Sequence, residues 1–158
     1  MKTFLIVFFA SYLPYILLVI AIALFFIKEK NWRQRLYVFS VFALAAILSR
    51  GLITEIIRFF YYRPRPFLIL NTSPLINHDI SSSFPSGHMT FYFVLALTIF
   101  FLLSRKWGCF FIISVISTGL ARVLAGVHWY SDIIAGIAIA ILCYFFVQKI
   151  LPFKKPLN

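Results

Sequence analysis

Charge is what this sequence has least of. Only 12% of its 158 residues are Asp, Glu, Lys or Arg, against ~25% in a typical soluble domain. With 63% hydrophobic residues, that scarcity excludes an ordinary water-soluble globule, and the apolar excess excludes a disordered chain. Acids are the scarcest: Glu29, Glu55, Asp79 and Asp132 stand against fifteen Lys and Arg, a net charge of +11. The imbalance does not point to nucleic acid. The cations sit in short clusters between apolar runs, as in loops that orient membrane spans, and are not spread over a polar surface. Cysteine is nearly missing. Cys109 and Cys143 fall inside apolar runs without disulfide or metal-ligand spacing, so both are expected only to pack. Repeats and low-complexity tracts are absent, and the length suits one domain over residues 1–158. What is abundant is aromatic: 20 Phe, 8 Tyr and 3 Trp, suited to lipid-facing surfaces and interfacial belts.

A spanning helix needs about 20 apolar residues. Residues 4–27 supply them without a charge, and Lys28-Glu29-Lys30 follows where a signal peptide would carry a cleavage site, so this run reads as a retained span in which Pro14 produces a tolerated kink. Further spans are expected at 36–57, 86–103, 107–125 and 129–151, with a polar, Pro-rich stretch at 58–84. The fold class is therefore all-α: a polytopic membrane bundle of about five helices. Lys28, Lys30, Arg33, Arg35, Arg105, Lys106, Lys149, Lys154 and Lys155 then share one face, nine of the fifteen cations. The positive-inside rule assigns that face to the cytoplasm, placing the N-terminus outside and the C-terminus inside. The outer face takes Lys2, Arg58, Arg63, Arg65 and Arg122, and with them all three His, Asp79 and Asp132. Ionisable groups at membrane depth are costly, which makes this cluster a functional-site hypothesis.

Three pieces compose it. Arg58, Arg63, Pro64, Arg65 and Pro66 leave the second span, and three guanidiniums within eight positions suit an oxyanion, Arg being planar and bidentate. By itself the stretch also reads as an interfacial anchor for lipid headgroups. Pro85-Ser86-Gly87-His88 opens the third span, with Ser83 as the expected N-cap and Pro85 in the first turn. A helix start favours an anion, Gly87 permits close backbone approach, Ser86 adds a hydroxyl, and His88 can exchange a proton near neutrality. A serine–proline cap with an incidental His is the plainer account. In the third piece His128 and Asp132 stand at i and i+4, following Arg122 and Gly126. A carboxylate on one ring nitrogen fixes the tautomer and frees the other as nucleophile or base; a structural His–Asp cap is the alternative. Arg50 and Glu55 are expected to pair within the second span, or Glu55 to orient Arg58. Together the pieces supply nucleophile, orienter, proton donor and anion cradle, the parts phosphoryl transfer requires.

In these residues the chain resembles the membrane branch of the type 2 phosphatidic acid phosphatase superfamily. The family's first signature, a Lys, six intervening residues and then Arg-Pro, is matched by Arg58 and Arg65-Pro66. Its Pro-Ser-Gly-His is matched by residues 85–88. Its Ser-Arg, then His, then Asp is matched by Ala121-Arg122, His128 and Asp132. The signature core spans 58–132. The resemblance implies that His128 attacks phosphorus with Asp132 orienting it and that His88 protonates the leaving oxygen. Arg58, Arg65, Ser86, Gly87 and Arg122 would hold the phosphoryl oxygens. It implies no cofactor and no metal. Arg63 lies outside the pattern and is expected at a second phosphate or headgroup. Two positions depart: Arg58 keeps the charge of the family's Lys, and Ala121 loses a hydroxyl worth ~1 kcal/mol. Members commonly have six spans, and five are expected here, one fewer before the first signature.

The implied activity is hydrolysis of a lipid phosphate through a phosphohistidine, with the bilayer as setting and no nucleic-acid partner; oligomeric state stays open. The Arg-Pro doublet, the short chain and the stretch from Ala121 to Asp132 resemble bacterial undecaprenyl-diphosphate phosphatases, and the site is expected on the extracytoplasmic side of a bacterial cytoplasmic membrane. Phosphatidylglycerophosphate, phosphatidate and lipid A phosphatases share the signatures. A lipid-binding or translocating protein without turnover, and a purely structural subunit, are the readings from other classes.

Overall fold

Each long apolar run forms a helix, and the helices differ in what surrounds them. The computed structural model describes residues 2–28 and 31–152. The expected inner-face residues Lys30, Lys154 and Lys155, Glu29 between them, and the side chain of Lys2 lie outside the described residues. The helices are α1 (Thr3–Lys28), α2 (Trp32–Phe60), α4 (Gly87–Leu103), α5 (Arg105–Leu124) and α6 (Tyr130–Ile150), with a one-turn α3 (Pro66–Ile69) in the polar stretch. Among the described residues there is no strand.

Four of these helices are long and apolar enough to cross a membrane. The fifth expected span, α4, is shorter than the others, and its role differs: Met89, Thr90 and every residue from Tyr92 to Thr98 are buried. It packs against α1, α2, α5 and α6. A helix apolar all round belongs in the middle of a bundle, and the four around it turn their apolar faces outward. Tyr15, Val19 and Phe26 on α1, Ile113 on α5, and Ile134 and Leu142 on α6 are all exposed. A surface so apolar is a liability in water and a requirement in lipid. The protein is an integral membrane protein.

Close packing around α4 depends on glycine. A Cβ on Gly136 of α6 would lie 2.8 Å from Met89 Cβ and 2.9 Å from the Ser86 carbonyl oxygen. Gly108 lets α5 close onto the backbone of Phe100 after the single joining residue Ser104. Asn31 caps α2, its side-chain oxygen accepting the Arg33 N–H at 3.0 Å. Two helices are locally wound as π-helix within their length: α1 over Phe8–Tyr12 and α2 over Ile47–Ile53, with α4 ending likewise over Ile99–Leu103. Such turns are uncommon and concentrate at functional positions; the second carries Arg50.

The long connection between α2 and α4 folds back over the ends of α5 and α6. Phe67 N–H donates to the Gly126 carbonyl at 3.1 Å and Leu75 N–H to the Ala125 carbonyl at 3.1 Å. The Trp129 indole N–H donates to the Pro64 carbonyl at 3.1 Å. All three pieces of the expected site therefore meet at one end of the bundle.

Candidate active site

Asp132 fixes this end of the molecule. It is fully buried at the third position of α6, where a carboxylate accepts the N–H of the N-cap residue; Trp129 N–H meets Oδ2 at 2.8 Å. The same oxygen lies 3.3 Å from His128 Nδ1, and Oδ1 accepts from Arg63 Nη1 at 2.9 Å. With Nδ1 turned to the carboxylate, Nε2 is the free nitrogen of His128. The ring is 2% exposed. Burial pushes its pKa down to about 4, the Asp132 hydrogen bond offsetting part of that and the charges of Arg122 and Arg65 adding to it. At neutral pH the imidazole is uncharged, with a lone pair on Nε2.

His128 reaches this place because the α5–α6 turn passes through Gly126, which adopts φ +78 with no atom within 4 Å of where a Cβ would stand. Gly126→Ala adds no clash, only the left-handed backbone penalty of about 1–2 kcal/mol. Its expected result is a lowered thermal midpoint in detergent by that stability loss, together with reduced turnover because His128 lies two residues on. An unchanged midpoint would show that the turn relaxes.

The second piece differs from expectation at its cap. Helix α4 starts at Gly87 with Ser86 as N-cap, so Pro85 precedes the helix, following a cis Phe84–Pro85 bond, and does not sit in its first turn. Ser83 belongs to the connection: its N–H donates to the Arg63 carbonyl at 2.9 Å, which ties it to the Arg-rich stretch and leaves it no helix to cap. Ser86 N–H donates to the Asp132 backbone carbonyl at 3.1 Å, joining the second piece to the third. Its hydroxyl makes no capping bond and is buried without a partner. An unpartnered buried hydroxyl beside the free N–H groups of a helix start is a ready anion contact.

His88, His128, Arg58, Arg65 and Gly87 line one cavity of about 450 Å³. Arg65 is 1% exposed and clasps the connection: Nη1 donates to the Val127 carbonyl at 2.8 Å, Nη2 to Ser81 Oγ at 3.0 Å and Nε to the Asp79 carbonyl at 3.2 Å. Burial, then the charge of Arg58, lowers its pKa to about 10, so it stays cationic at neutral pH. Arg58 Nη2 donates to the Pro85 carbonyl at 3.1 Å while Nε has no partner. Arg122 lines an adjoining cavity with His88 and His78. Its Nη1 donates at 3.1 Å to the carbonyl of Ala10. Pro14, four residues on, has no N–H to offer that carbonyl, so the proline in α1 frees the acceptor that anchors Arg122. Arg122 Nε is buried and unpartnered.

Arg63 is placed differently from the expected headgroup contact. It does not line the cavity; its guanidinium spans Asp132 Oδ1 and Ser131 Oγ, with Cζ 5.5 Å from the Trp129 ring centroid. Ala121 is buried in a small apolar cluster with Ala10, Ile76, Ala125 and Val127, so the missing hydroxyl leaves no polar group stranded. The expected Arg50–Glu55 pair is present, and Glu55 also lies 3.5 Å from Arg58. Among the lining residues that were not assigned a role are Arg50, read only as a structural partner, and His78. The His78 ring centroid is 6.0 Å from that of His128, and burial followed by the charge of Arg65 lowers its pKa to about 4. The hint in the sequence was that His78 falls on the same face as the other two histidines. Cys109 and Cys143 are free thiols far from this constellation in the sequence. Among the described residues no group of three or more His, Cys, Asp or Glu is arranged to hold a metal ion.

Known proteins match over most of the chain. A protein of Bacillus licheniformis called bacitracin transport permease protein BcrC is 29% identical over 141 residues, covering 89% of this chain and 67% of its own length. Undecaprenyl-diphosphatase BcrC of Bacillus subtilis is 28% identical over 142 residues, covering 90% and 70%. Among solved structures, the transmembrane PAP2-type phosphatidylglycerolphosphate phosphatase of Bacillus subtilis superposes with a TM-score of 0.62 at 26% identity, over 99% of this chain and 77% of that one. Residues 39–156 match the PAP2 superfamily as a whole. That region holds every signature residue from Arg58 to Asp132, and with it the chain belongs to the PAP2 superfamily as a membrane-embedded phosphatase.

Proposed function

We propose that this protein hydrolyses the phosphate or diphosphate of a membrane lipid through a phosphohistidine on His128, with undecaprenyl diphosphate converted to undecaprenyl phosphate and inorganic phosphate as its preferred reaction. One observation carries the reading: His128 Nδ1 is held 3.3 Å from a fully buried carboxylate while its ring lines a cavity shared with His88 and guanidiniums. In step one Nε2 attacks phosphorus, the bond to the leaving oxygen breaks, and His88 gives that oxygen its proton. In step two His88, now a base, takes a proton from the water that attacks the phosphohistidine. Arg58, Arg65, Arg122, the Ser86 hydroxyl and the Gly87 N–H stabilise the charge spreading over the phosphoryl oxygens. Arg63 acts one step back, as a partner of Asp132.

The diphosphate reading is favoured by the two BcrC relatives, one of them named an undecaprenyl-diphosphatase. The superposed structure favours phosphatidylglycerophosphate as the second candidate, and lipid A 1-phosphatase of Rhizobium etli, 30% identical over 138 residues covering 77% of this chain and 59% of its own length, supports a third. The charge balance of the loops supports a site on the extracytoplasmic side of a bacterial cytoplasmic membrane, with the C-terminus inside. The deciding experiment compares phosphate release in detergent, with chelator present, from polyprenyl diphosphate, phosphatidate, phosphatidylglycerophosphate and lipid A. The expected result is chelator-resistant release with the highest kcat/KM on the diphosphate. Release from none of them would leave a binding or translocating protein and end the reading.

A further inference from the structure

Arg50 sits where a charge is expensive. It lies ten positions before the end of α2, about 15 Å along the helix axis from the outer end, and groups so placed normally serve a function. Its surroundings are shaped to hold it. A Cβ on Gly87 would fall 2.5 Å from Arg50 Nε, so the guanidinium occupies space that only glycine leaves at the start of α4. Glu55 follows at i+5. On a regular α-helix that spacing puts side chains about 140° apart, but Arg50 lies in the π-helical stretch Ile47–Ile53, whose i→i+5 bonding brings such positions together. Arg50 Nη1 and Glu55 Oε1 are in direct contact, and the same oxygen lies 3.5 Å from Arg58 Nη1. One carboxylate thus aligns two guanidiniums along the α2 side of the cavity.

That cavity is too large for one tetrahedral anion. Its volume is about 450 Å³, where one water molecule needs about 10–15 Å³ on the same measure. Arg50, Gly87 and Phe91 line it on the α2–α4 side, and His128 and Arg65 line it where the connection meets the α5–α6 turn. His88 lines the same cavity as His128 and Arg50.

We propose that Arg50 binds the non-transferred phosphoryl group of a lipid diphosphate and so sets the preference for diphosphate over monophosphate. The inference rests on the reading of His128 as nucleophile. Nε2 bonds to the terminal phosphorus and the bond from that phosphorus to the bridging oxygen breaks. The electron pair stays on the bridging oxygen, which takes the His88 proton and departs as the lipid monophosphate. The leaving phosphate, continuing past His88, meets Arg50. A lipid monophosphate has no group to place there.

The test is the ratio of kcat/KM for a polyprenyl diphosphate to that for the matching monophosphate. Removing one charge-assisted contact to phosphate predicts that Arg50→Gln lowers this ratio about tenfold to a hundredfold, with Arg50→Lys recovering part of it. A ratio within threefold of the parent protein, whether both activities fall or neither does, overturns the inference and leaves the lipid phosphatase standing. Should Arg50→Gln fail to fold, the parent protein decides: methylenediphosphonate should compete at least tenfold more tightly than methylphosphonate, and equal inhibition overturns the proposal. A parent protein that releases phosphate from neither lipid sinks the underlying reading instead.

Discussion

His128→Ala abolishes phosphate release and covalent phosphorylation together. The nucleophile has no understudy. His88 lines the same cavity and has no carboxylate partner among the described residues, and His78, though its ring centroid is 6.0 Å from that of His128, makes no contact with Asp132 among the hydrogen bonds of that carboxylate. Loss of an activated nucleophile costs more than any cradle contact, and about 10⁴-fold or more in kcat is expected. Structure is little disturbed, because Asp132 keeps the Trp129 N–H and Arg63 when the ring is removed. The measurement is release of terminally labelled phosphate, alongside a denaturing quench that traps the phosphohistidine. His88→Ala gives the contrasting pattern. With an aryl phosphate, whose leaving group needs no proton, the first step survives and the second slows, so labelled protein accumulates. Release by His128→Ala within tenfold of the parent protein, or label retained on it, would remove this histidine from the chemistry.

Those expectations could be set out from the sequence because the chemistry is local in the chain. His128 and Asp132 are four apart, and a helix beginning nearby puts them on one face whatever the rest of the bundle does. Pro85-Ser86-Gly87-His88 is likewise contiguous, and the apolar runs announce the helices around it. What stayed hidden depends on distance through space. The Ser86 N–H meets a carbonyl 46 positions later, and it is Ser86, tied there, and not Ser83 that precedes α4 as its N-cap. Arg63 bonds to Asp132 across 69 positions, so a cation that looked free to meet a headgroup is spent on the orienter. The pairing of Arg50 with Glu55 was legible, but the place of Arg50 on the cavity wall was not: an α-helical register sets the two about 140° apart, and the π-helical stretch brings them together beside Arg58. The length of α4 could be counted, but its place at the centre of the bundle could not. Its apolar residues are no more apolar than those facing lipid, and hydropathy does not distinguish a helix wrapped by neighbours from one wrapped by acyl chains.

Asp132→Asn separates orientation from charge at the same site. The carboxylate accepts three bonds, Oδ2 from Trp129 N–H and His128, Oδ1 from Arg63. An amide has one oxygen and one NH₂, so it cannot serve both sides. If the oxygen stays with Trp129 and His128, the NH₂ opposes the Arg63 guanidinium. If it turns, the NH₂ faces His128 Nδ1 and drives the ring proton onto Nε2, the nitrogen that must attack. In both arrangements the negative charge that stabilises a phosphorylated, cationic ring is gone. The expected loss is about 10²–10⁴-fold in kcat, with about 2 kcal/mol of stability from the broken charge-assisted bonds. The acid limb of kcat/KM reports the free enzyme and carries the sharper prediction. Burial already holds His128 down at about 4, and the Asp132 bond is the contact that opposes burial. Removing it lowers the ring's pKa further, so the limb moves to lower pH while the plateau collapses. A limb that moves upward instead would mean that the Asp132 bond does not hold the His128 ring against its burial. Arg63→Gln supplies the comparison. Asp132 keeps its bond to His128, the loss should be about tenfold, and the limb should shift far less than in Asp132→Asn, because the carboxylate that opposes the burial of His128 is still there.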